Sequence, residues 1–183
     1  MANSILIVVD MQNDFLTGSL ANPDALALVP KIRSLMKSAE WSSIIMTQDT
    51  HSRDYLDTAE GHKLPISHCI KGTEGWCIED TLFQTLLSET TGKCFTMRKT
   101  TFGADWDDPV VEEAFEEVPD KIVLVGTCTD ICVVTNALLL KTRFPETEIV
   151  VYEDLCAGST SEKHNAALEV MKSCQINVCR SDV

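Results

Sequence analysis

The stretch Ile5-Leu6-Ile7-Val8-Val9-Asp10 decides how this chain folds. Its five consecutive apolar residues do not alternate with polar ones, which predicts a strand that is covered on both faces. Short β-rich runs of the same kind alternate with longer helical patterns along the chain, and this rhythm is typical of strand–helix–strand units. The sequence therefore predicts an α/β fold with a parallel sheet of about six strands between two layers of helices.

The remaining elements follow from the same periodicities. Strands are predicted at 5–9, 43–47, 94–97, 122–125, 148–151 and 175–178, and helices at 24–38, 79–88, 108–117, 130–142 and 161–173. The segment 50–75, called loop 50–75 below, follows neither period and holds three of the four histidines. A connection of this length is usually functional or disordered.

Composition narrows the class of protein. A chain of 183 residues that is 44% hydrophobic and has no linker fits one domain over residues 1–183. The formal charge of −13 makes nucleic acid a poor candidate partner, because a phosphate backbone would be repelled. No stretch approaches the roughly 18 apolar residues of a membrane helix, and no cationic leader precedes the first strand. We expect a cytosolic protein whose eight cysteines are mostly small buried thiols.

Reactive side chains follow four of the predicted strands. Open parallel sheets bind ligands beyond the carboxyl ends of their strands. The first strand ends at Asp10, the second runs into Asp49-x-His51, the third runs into Lys99, and the fourth leads to Cys132. We therefore expect an acid, a cation, a thiol and a pair of metal ligands to meet at one edge of the sheet.

Cys132 is the candidate nucleophile. It falls in the opening turn of a predicted helix capped by Thr129 or Asp130, where free N–H groups and the helix dipole favour a thiolate. Taken alone, Cys132 would be read as a buried structural cysteine, Lys99 as a solvated lysine and Asp10 as a turn residue. Together they provide a proton acceptor, a cation and a nucleophile for amide or ester cleavage. His164, in the first turn of the last helix, is expected to make a structural hydrogen bond.

Five motifs resemble those of the isochorismatase-like cysteine hydrolases, and among these the nicotinamidases. In chain order they are Val9-Asp10-Met11-Gln12-Asn13-Asp14-Phe15, Thr47-Gln48-Asp49-Thr50-His51, His68-Cys69-Ile70-Lys71-Gly72-Thr73, Lys99-Thr100-Thr101-Phe102 and Gly126-x-x-Thr129-Asp130-x-Cys132-Val133. Each motif alone is a weak signal, but all five occur in the family's order over the whole chain. The resemblance implies strand order 3-2-1-4-5-6, with Asp10 and Cys132 on neighbouring strands.

The resemblance also implies a reaction. Asp10 would be the base, Lys99 its ion partner and Cys132 the nucleophile in the hydrolysis of nicotinamide to nicotinate and ammonia through a thioester. A cis peptide bond between Thr127 and Cys128 would turn the N–H groups of Cys128 and Cys132 toward the oxyanion.

A divalent metal site is implied as well, with Asp49, His51 and His68 as ligands. Glu60 stands where some nicotinamidases place a fourth ligand, and Asp54 and Asp57 are the competing choices. Such nitrogen and oxygen donors suit zinc first, with iron or manganese as alternatives. His62 is expected to be solvated.

The substrate pocket departs from the nicotinamidase pattern. Phe15 matches one aromatic wall, but Leu64-Pro65-Ile66-Ser67 stands where a tryptophan commonly precedes the last metal histidine. The opposite wall would then come from Leu64, Pro65, Trp76 or Trp106.

Two other functions remain open at this stage. One is a metal-independent hydrolase of another small amide, a carbamoyl compound or a vinyl ether, and the other is a binding protein without catalysis. Because many members of the family associate, we also expect a homo-oligomer.

Overall fold

A computed structural model describes residues 3–38 and 41–183, so four residues of the predicted domain 1–183 lie outside the described part. Six parallel strands form one sheet in the order β3-β2-β1-β4-β5-β6, as the sequence predicts. The strands are β1 (Ser4–Val9), β2 (Ser43–Asp49), β3 (Lys93–Lys99), β4 (Lys121–Thr127), β5 (Glu148–Ala157) and β6 (Asn177–Cys179).

Helices cover both faces of the sheet, which confirms the three layers. They are α1 (Asn13–Leu16), α2 (Pro23–Ser38), α3 (Asp80–Ser88), α4 (Pro109–Phe115), α5 (Val134–Arg143) and α6 (Ser161–Ser173). Apolar residues of α2 and α3 pack with Leu6 and Val8 in one core, and those of α4, α5 and α6 pack with Ile5, Ile7 and Val9 in the other. The unbroken apolar run in β1 is therefore explained, because alternate side chains enter two different cores.

The order in which the chain adds strands to the sheet reverses at β1. This strand pairs with β2 on one side and β4 on the other, and the chain reaches them by connections on opposite faces. A crevice opens beyond the carboxyl ends of β1 and β4, which is where open α/β sheets bind ligands.

The predicted helix 130–142 is wrong in its first turn. Residues Thr129–Val133 form a wide, π-type turn, called the wide turn below, and the regular helix α5 begins only at Val134. The Cys128 carbonyl accepts hydrogen bonds from the N–H groups of both Ile131 (3.1 Å) and Val133 (3.0 Å), which spreads the chain over an extra residue.

Other boundaries differ by a few residues. The strand predicted at 148–151 continues to Ala157 as β5, past a shift in its pairing with β4 between Leu124 and Gly126. Helix α1 was not predicted from the sequence, because its four residues are too few to show a period. Within the described ranges, no helix combines the length and the apolar character needed to span a membrane.

Gly126 allows β4 to approach β1. Its φ is +120°, and a Cβ there would lie 2.2 Å from the Val9 carbonyl oxygen. We predict that Gly126→Ala lowers the free energy of unfolding by about 1–2 kcal/mol for the backbone conformation and by about 1–3 kcal/mol more for the clash. Urea unfolding measures both terms together.

Gly72→Ala is the matched control for this substitution. Gly72 also has a positive φ, +85°, but a Cβ there would meet nothing within 4 Å. The control should lose only the backbone contribution, and equal losses for the two variants would contradict the proposed close approach.

Candidate active site

The Lys99 ammonium contacts the other candidate catalytic residues and Asp49. Its Nζ lies 2.7 Å from Asp10 Oδ2, 3.2 Å from Asp49 Oδ1 and 3.6 Å from Cys132 Sγ. All four side chains are buried. Strand order explains the convergence, because Asp49 and Lys99 are register partners at the ends of β2 and β3, and Asp10 follows the neighbouring strand β1.

Thr47 orients the Asp10 carboxylate. The Thr47 hydroxyl donates to Asp10 Oδ1 at 2.6 Å and accepts a hydrogen bond from the Asp10 N–H at 3.1 Å. Asp10 itself has a φ of +49°, a conformation that costs free energy unless its surroundings impose it. The Thr47 contacts thus hold the carboxylate at the end of β1.

The second Asp10 oxygen is available as a base. Oδ2 faces Lys99 in the ion pair, and in the described part of the chain it is the only buried side-chain nitrogen or oxygen that accepts no well-aligned hydrogen bond. An oxygen of this kind can accept a proton from a neighbouring thiol.

Burial sets the protonation of the site. It raises the pKa of the Cys132 thiol well above the usual value, and the neighbouring Asp10 carboxylate raises it further. Burial thus acts on the Cys132 thiol in the opposite direction to the helix terminus that the sequence analysis invoked. Burial also raises the pKa of Asp10, against the attraction of Lys99. The resting pair is a thiol beside a strengthened base.

Asp49, His51 and His68 form a group that fits a metal ion, called the metal cluster below. Their ligand atoms all lie within 4.8 Å of one another. Asp49 Oδ2 is 3.0 Å from His51 Nε2 and 3.6 Å from His68 Nε2, and such separations suit atoms that share one ion about 2 Å away. The His68 ring lies with Nδ1 2.9 Å from the Ile66 carbonyl, and this bond leaves Nε2 free to coordinate.

Glu60 flanks the metal cluster. Its Oε1 lies 3.8 Å from His51 Nε2 and 4.0 Å from His68 Nε2. The competing acids are placed differently, because Asp54 accepts a hydrogen bond from Ser52 and Asp57 is exposed. Glu60 is thus the acid among the three candidates that lies beside both histidines, and its assignment as a fourth ligand stays a prediction.

Tyr55 supports both histidines and was missed by the sequence analysis. It is fully buried, and its ring centroid lies 4.6 Å from that of His51 and 4.9 Å from that of His68. Its hydroxyl donates to the Leu64 carbonyl at 3.0 Å. The one sequence signal for this role was that Tyr55 is an aromatic residue between the candidate ligands His51 and Glu60. Tyr55 thus packs between parts of loop 50–75 that are distant from one another in the sequence.

Two side chains of the first motif anchor the metal cluster to β1. Gln12 accepts a hydrogen bond from the Asp49 N–H at 2.7 Å and donates to the Asp49 carbonyl at 2.9 Å. Asp14 accepts from the N–H of Cys69 at 2.7 Å, where the chain turns at φ +46° directly after His68. The first motif therefore supplies Asp10 and also holds the backbone at Asp49 and next to His68.

A cavity of about 490 Å³ connects the thiol to the metal cluster. Among the predicted substrate-facing residues, Phe15, Leu64, Cys128 and Cys132 line it. Phe102 and Ile131 are among the lining residues to which the sequence analysis gave no role. The lining residues that bear on the argument are Phe15, Asp49, Glu60, Leu64, His68, Phe102, Cys128, Ile131 and Cys132.

Three of the predicted wall residues do not line this cavity. Pro65 is exposed at the apex of a tight turn closed by the Ile66 N–H and the Leu64 carbonyl at 2.8 Å, so the predicted substrate contact of Pro65 is corrected. The Trp76 indole donates to Thr50, and the Trp106 indole donates to Asn136. Leu64 does line the cavity.

The peptide bond between Thr127 and Cys128 is cis, as the family resemblance implies. Beyond it, the Ile131 and Val133 N–H groups both donate to the Cys128 carbonyl, whereas the intervening Cys132 N–H does not share this acceptor. The assignment of the Cys128 and Cys132 N–H groups to an oxyanion remains a prediction.

Comparisons with known proteins agree with this geometry. The family model described as the Isochorismatase domain matches residues 4–183. The nicotinamidase/pyrazinamidase of Mycobacterium tuberculosis is 30% identical over 96% of this chain and 98% of its own length. The nicotinamidase of Schizosaccharomyces pombe is 25% identical over 94% and 91%. The crystal structure of a Bacillus subtilis nicotinamidase/pyrazinamidase superposes with a TM-score of 0.83 at 26% identity, covering 97% of this chain and 100% of that one.

The metal cluster makes a direct prediction about zinc. We expect the purified protein to bind about one zinc ion and His51→Ala to lose it, because one of three converging ligands is gone. His62→Ala is the control, since His62 lies in the same loop and is exposed. Equilibrium dialysis with metal analysis measures the stoichiometry, and equal zinc binding by the two variants would contradict the assignment.

The buried cation makes a prediction about stability. Lys99→Met leaves two buried carboxylates without their partner and should lower the free energy of unfolding by about 3–5 kcal/mol. Lys93→Met removes an exposed ion pair with Glu116 and should change stability little. Denaturant titration of both variants tests this, and a Lys99→Met protein as stable as Lys93→Met would refute the role given to the ion pairs.

Proposed function

Because the chain belongs to the isochorismatase family, we propose that it is a metal-containing cysteine amidohydrolase that converts nicotinamide and water to nicotinate and ammonia. One observation carries this proposal. The Lys99 ammonium lies 3.6 Å from the Cys132 sulfur and pairs with both Asp10 and Asp49, so it joins the nucleophile and the base to the metal cluster, and Cys132 and Asp49 line the same cavity. The relatives that carry the name nicotinamidase span nearly the whole chain.

Formation of the thioester is the first half of the reaction. Asp10 takes the proton of the Cys132 thiol as the sulfur attacks the amide carbonyl carbon. Backbone N–H groups at Cys128 and Cys132 stabilise the oxyanion, and Lys99 keeps Asp10 in place. The carbon–nitrogen bond then breaks, and the proton held by Asp10 passes to the departing nitrogen, which leaves as ammonia.

Water completes the cycle. Asp10 accepts a proton from a water molecule as the water oxygen attacks the thioester carbon. The carbon–sulfur bond breaks, the sulfur recovers a proton from Asp10, and the carboxylic acid releases its remaining proton to solvent and leaves as the anion. The raised pKa of the buried Asp10 suits this alternation between base and acid.

The metal site belongs to the substrate-binding part of the cavity. Asp49, His51 and His68 would hold the ion with Glu60, and this set of two nitrogen and two oxygen donors suits zinc first. When bound, the metal supplies a Lewis acid with open positions that can bind a pyridine nitrogen. Phe15, whose ring centroid lies 5.7 Å from that of His68, provides an apolar face for an aromatic ring beside it.

The composition of one wall of the cavity favours a second candidate class of substrate. Trp76 and Trp106 are held elsewhere by hydrogen bonds, so Leu64 stands without the tryptophan that nicotinamidases commonly place there. A metal-independent hydrolase acting on another small amide, a carbamoyl compound or a vinyl ether is the alternative function.

Ammonia release from nicotinamide tests the proposal. The zinc-loaded, reduced protein should release ammonia, also from pyrazinamide, and Cys132→Ala should lower kcat by about 10⁴-fold or more because the nucleophile is lost. Cys156→Ala is the matched control, since Cys156 is also buried but lies in β5 outside the cavity.

Two outcomes would contradict parts of this proposal. Full activity in Cys132→Ala would refute the thioester mechanism. No ammonia from a folded, zinc-loaded wild type would refute nicotinamide as the substrate and favour the alternative class.

A further inference from the structure

We propose that His164 is a positioning residue, which holds the wide turn through Thr129 so that the backbone N–H groups at Cys128 and Cys132 meet the developing oxyanion. The inference rests on the proposed cysteine-hydrolase chemistry, but it does not depend on nicotinamide as the substrate.

The contact that carries the proposal joins two distant segments. Thr129 Oγ1 and His164 Nδ1 lie 2.8 Å apart, and Thr129 is fully buried. A buried hydroxyl that loses its hydrogen-bond partner is left unsatisfied away from water, so this bond constrains the position of Thr129. Thr129 is the first residue of the wide turn, directly after Cys128.

His164 is itself rigidly placed. It lies in the first turn of α6, where its N–H donates to the Thr160 carbonyl at 2.9 Å. The Thr160 hydroxyl caps the helix by accepting the Lys163 N–H. The backbone of His164 is therefore anchored at the start of α6, and its ring reaches the wide turn from this anchored position.

A second contact joins the same two segments. The Asp130 carboxylate accepts hydrogen bonds from the Ser159 N–H at 2.7 Å and from the Ser159 hydroxyl at 2.6 Å. Gly158 makes the close approach feasible, because a Cβ there would lie 2.7 Å from His164 Cβ and 3.0 Å from Asp130 Oδ1. Consecutive residues of the wide turn are thus tied to the start of α6 and the loop before it.

The chemical consequence depends on the kind of reaction. Oxyanion donors act only when they lie about 2.7–3.1 Å from the oxygen that becomes charged, so a small displacement of the turn slows attack on a carbonyl. Alkylation of the same sulfur by iodoacetamide displaces iodide from a saturated carbon and develops no oxyanion. The two reactions therefore separate correct positioning of the turn from simple access to Cys132.

The experiment measures both reactions at Cys132. Acylation by p-nitrophenyl acetate transfers the acetyl group to the sulfur and releases p-nitrophenolate, and the Cys132→Ala protein provides the background from other thiols. We expect His164→Ala and Thr129→Val each to slow acylation about 10- to 100-fold while alkylation by iodoacetamide changes less than about twofold.

Further variants identify the hydrogen bond as the cause. His164→Asn can place a side-chain amide near Nδ1 and should recover part of the acylation rate. The double variant Thr129→Val/His164→Ala should be no slower than the single variants, because both remove the same interaction. Glu162→Ala, an exposed neighbour on α6, is the control and should react like the wild type.

The results that would overturn the proposal are distinct from failure of nicotinamide as a substrate. Unchanged acylation in both single variants, a parallel fall in acylation and alkylation, or no Cys132-dependent acylation in the wild type would each refute it. Ammonia release is not used, so a wild type that acylates normally but ignores nicotinamide would still support the role of His164.

Discussion

The buried ammonium group of Lys99 is the interaction on which the site depends. It stands between the carboxylates of Asp10 and Asp49 with its Nζ 3.6 Å from the Cys132 sulfur. Charged groups are excluded from protein interiors unless they are paired, and here the pairing requires β3, β2 and β1 to lie side by side. The strand order is thus a condition of the chemistry as well as a feature of the fold.

The same arrangement explains how one cavity serves both bond cleavage and substrate binding. Asp49 pairs with Lys99 through Oδ1, whereas its Oδ2 faces His51 and His68. A single carboxylate therefore links the catalytic residues to the metal cluster. Gln12 fixes the backbone of Asp49 on both sides, so a shift of one part of the site would be transmitted to the other.

Burial of the site changes the pKa values of both Cys132 and Asp10. It raises the pKa of the Cys132 thiol, so in the proposed mechanism this nucleophile needs a base nearby, and it also raises the pKa of Asp10, the proposed base. Water exclusion further strengthens hydrogen bonds to an oxyanion, provided that their donors are held still. The contacts of the wide turn with α6 meet this need from outside the cavity.

Sequence alone determined the class of fold, the strand order through the family resemblance, and the residues Asp10, Lys99, Cys132, Asp49, His51 and His68. The fold class and the gathering of residues at the strand ends follow from local signals, because apolar runs mark buried strands and the residues after parallel strands share one edge. The strand order and His68 come from the family resemblance. Only the tertiary structure decided that the turn at Cys132 is wide, that Tyr55 contacts both histidines, that Pro65 is exposed outside the cavity and that Thr129 meets His164. These features depend on packing between segments far apart in the chain, such as the 35 residues that separate Thr129 from His164, and no local periodicity encodes such contacts.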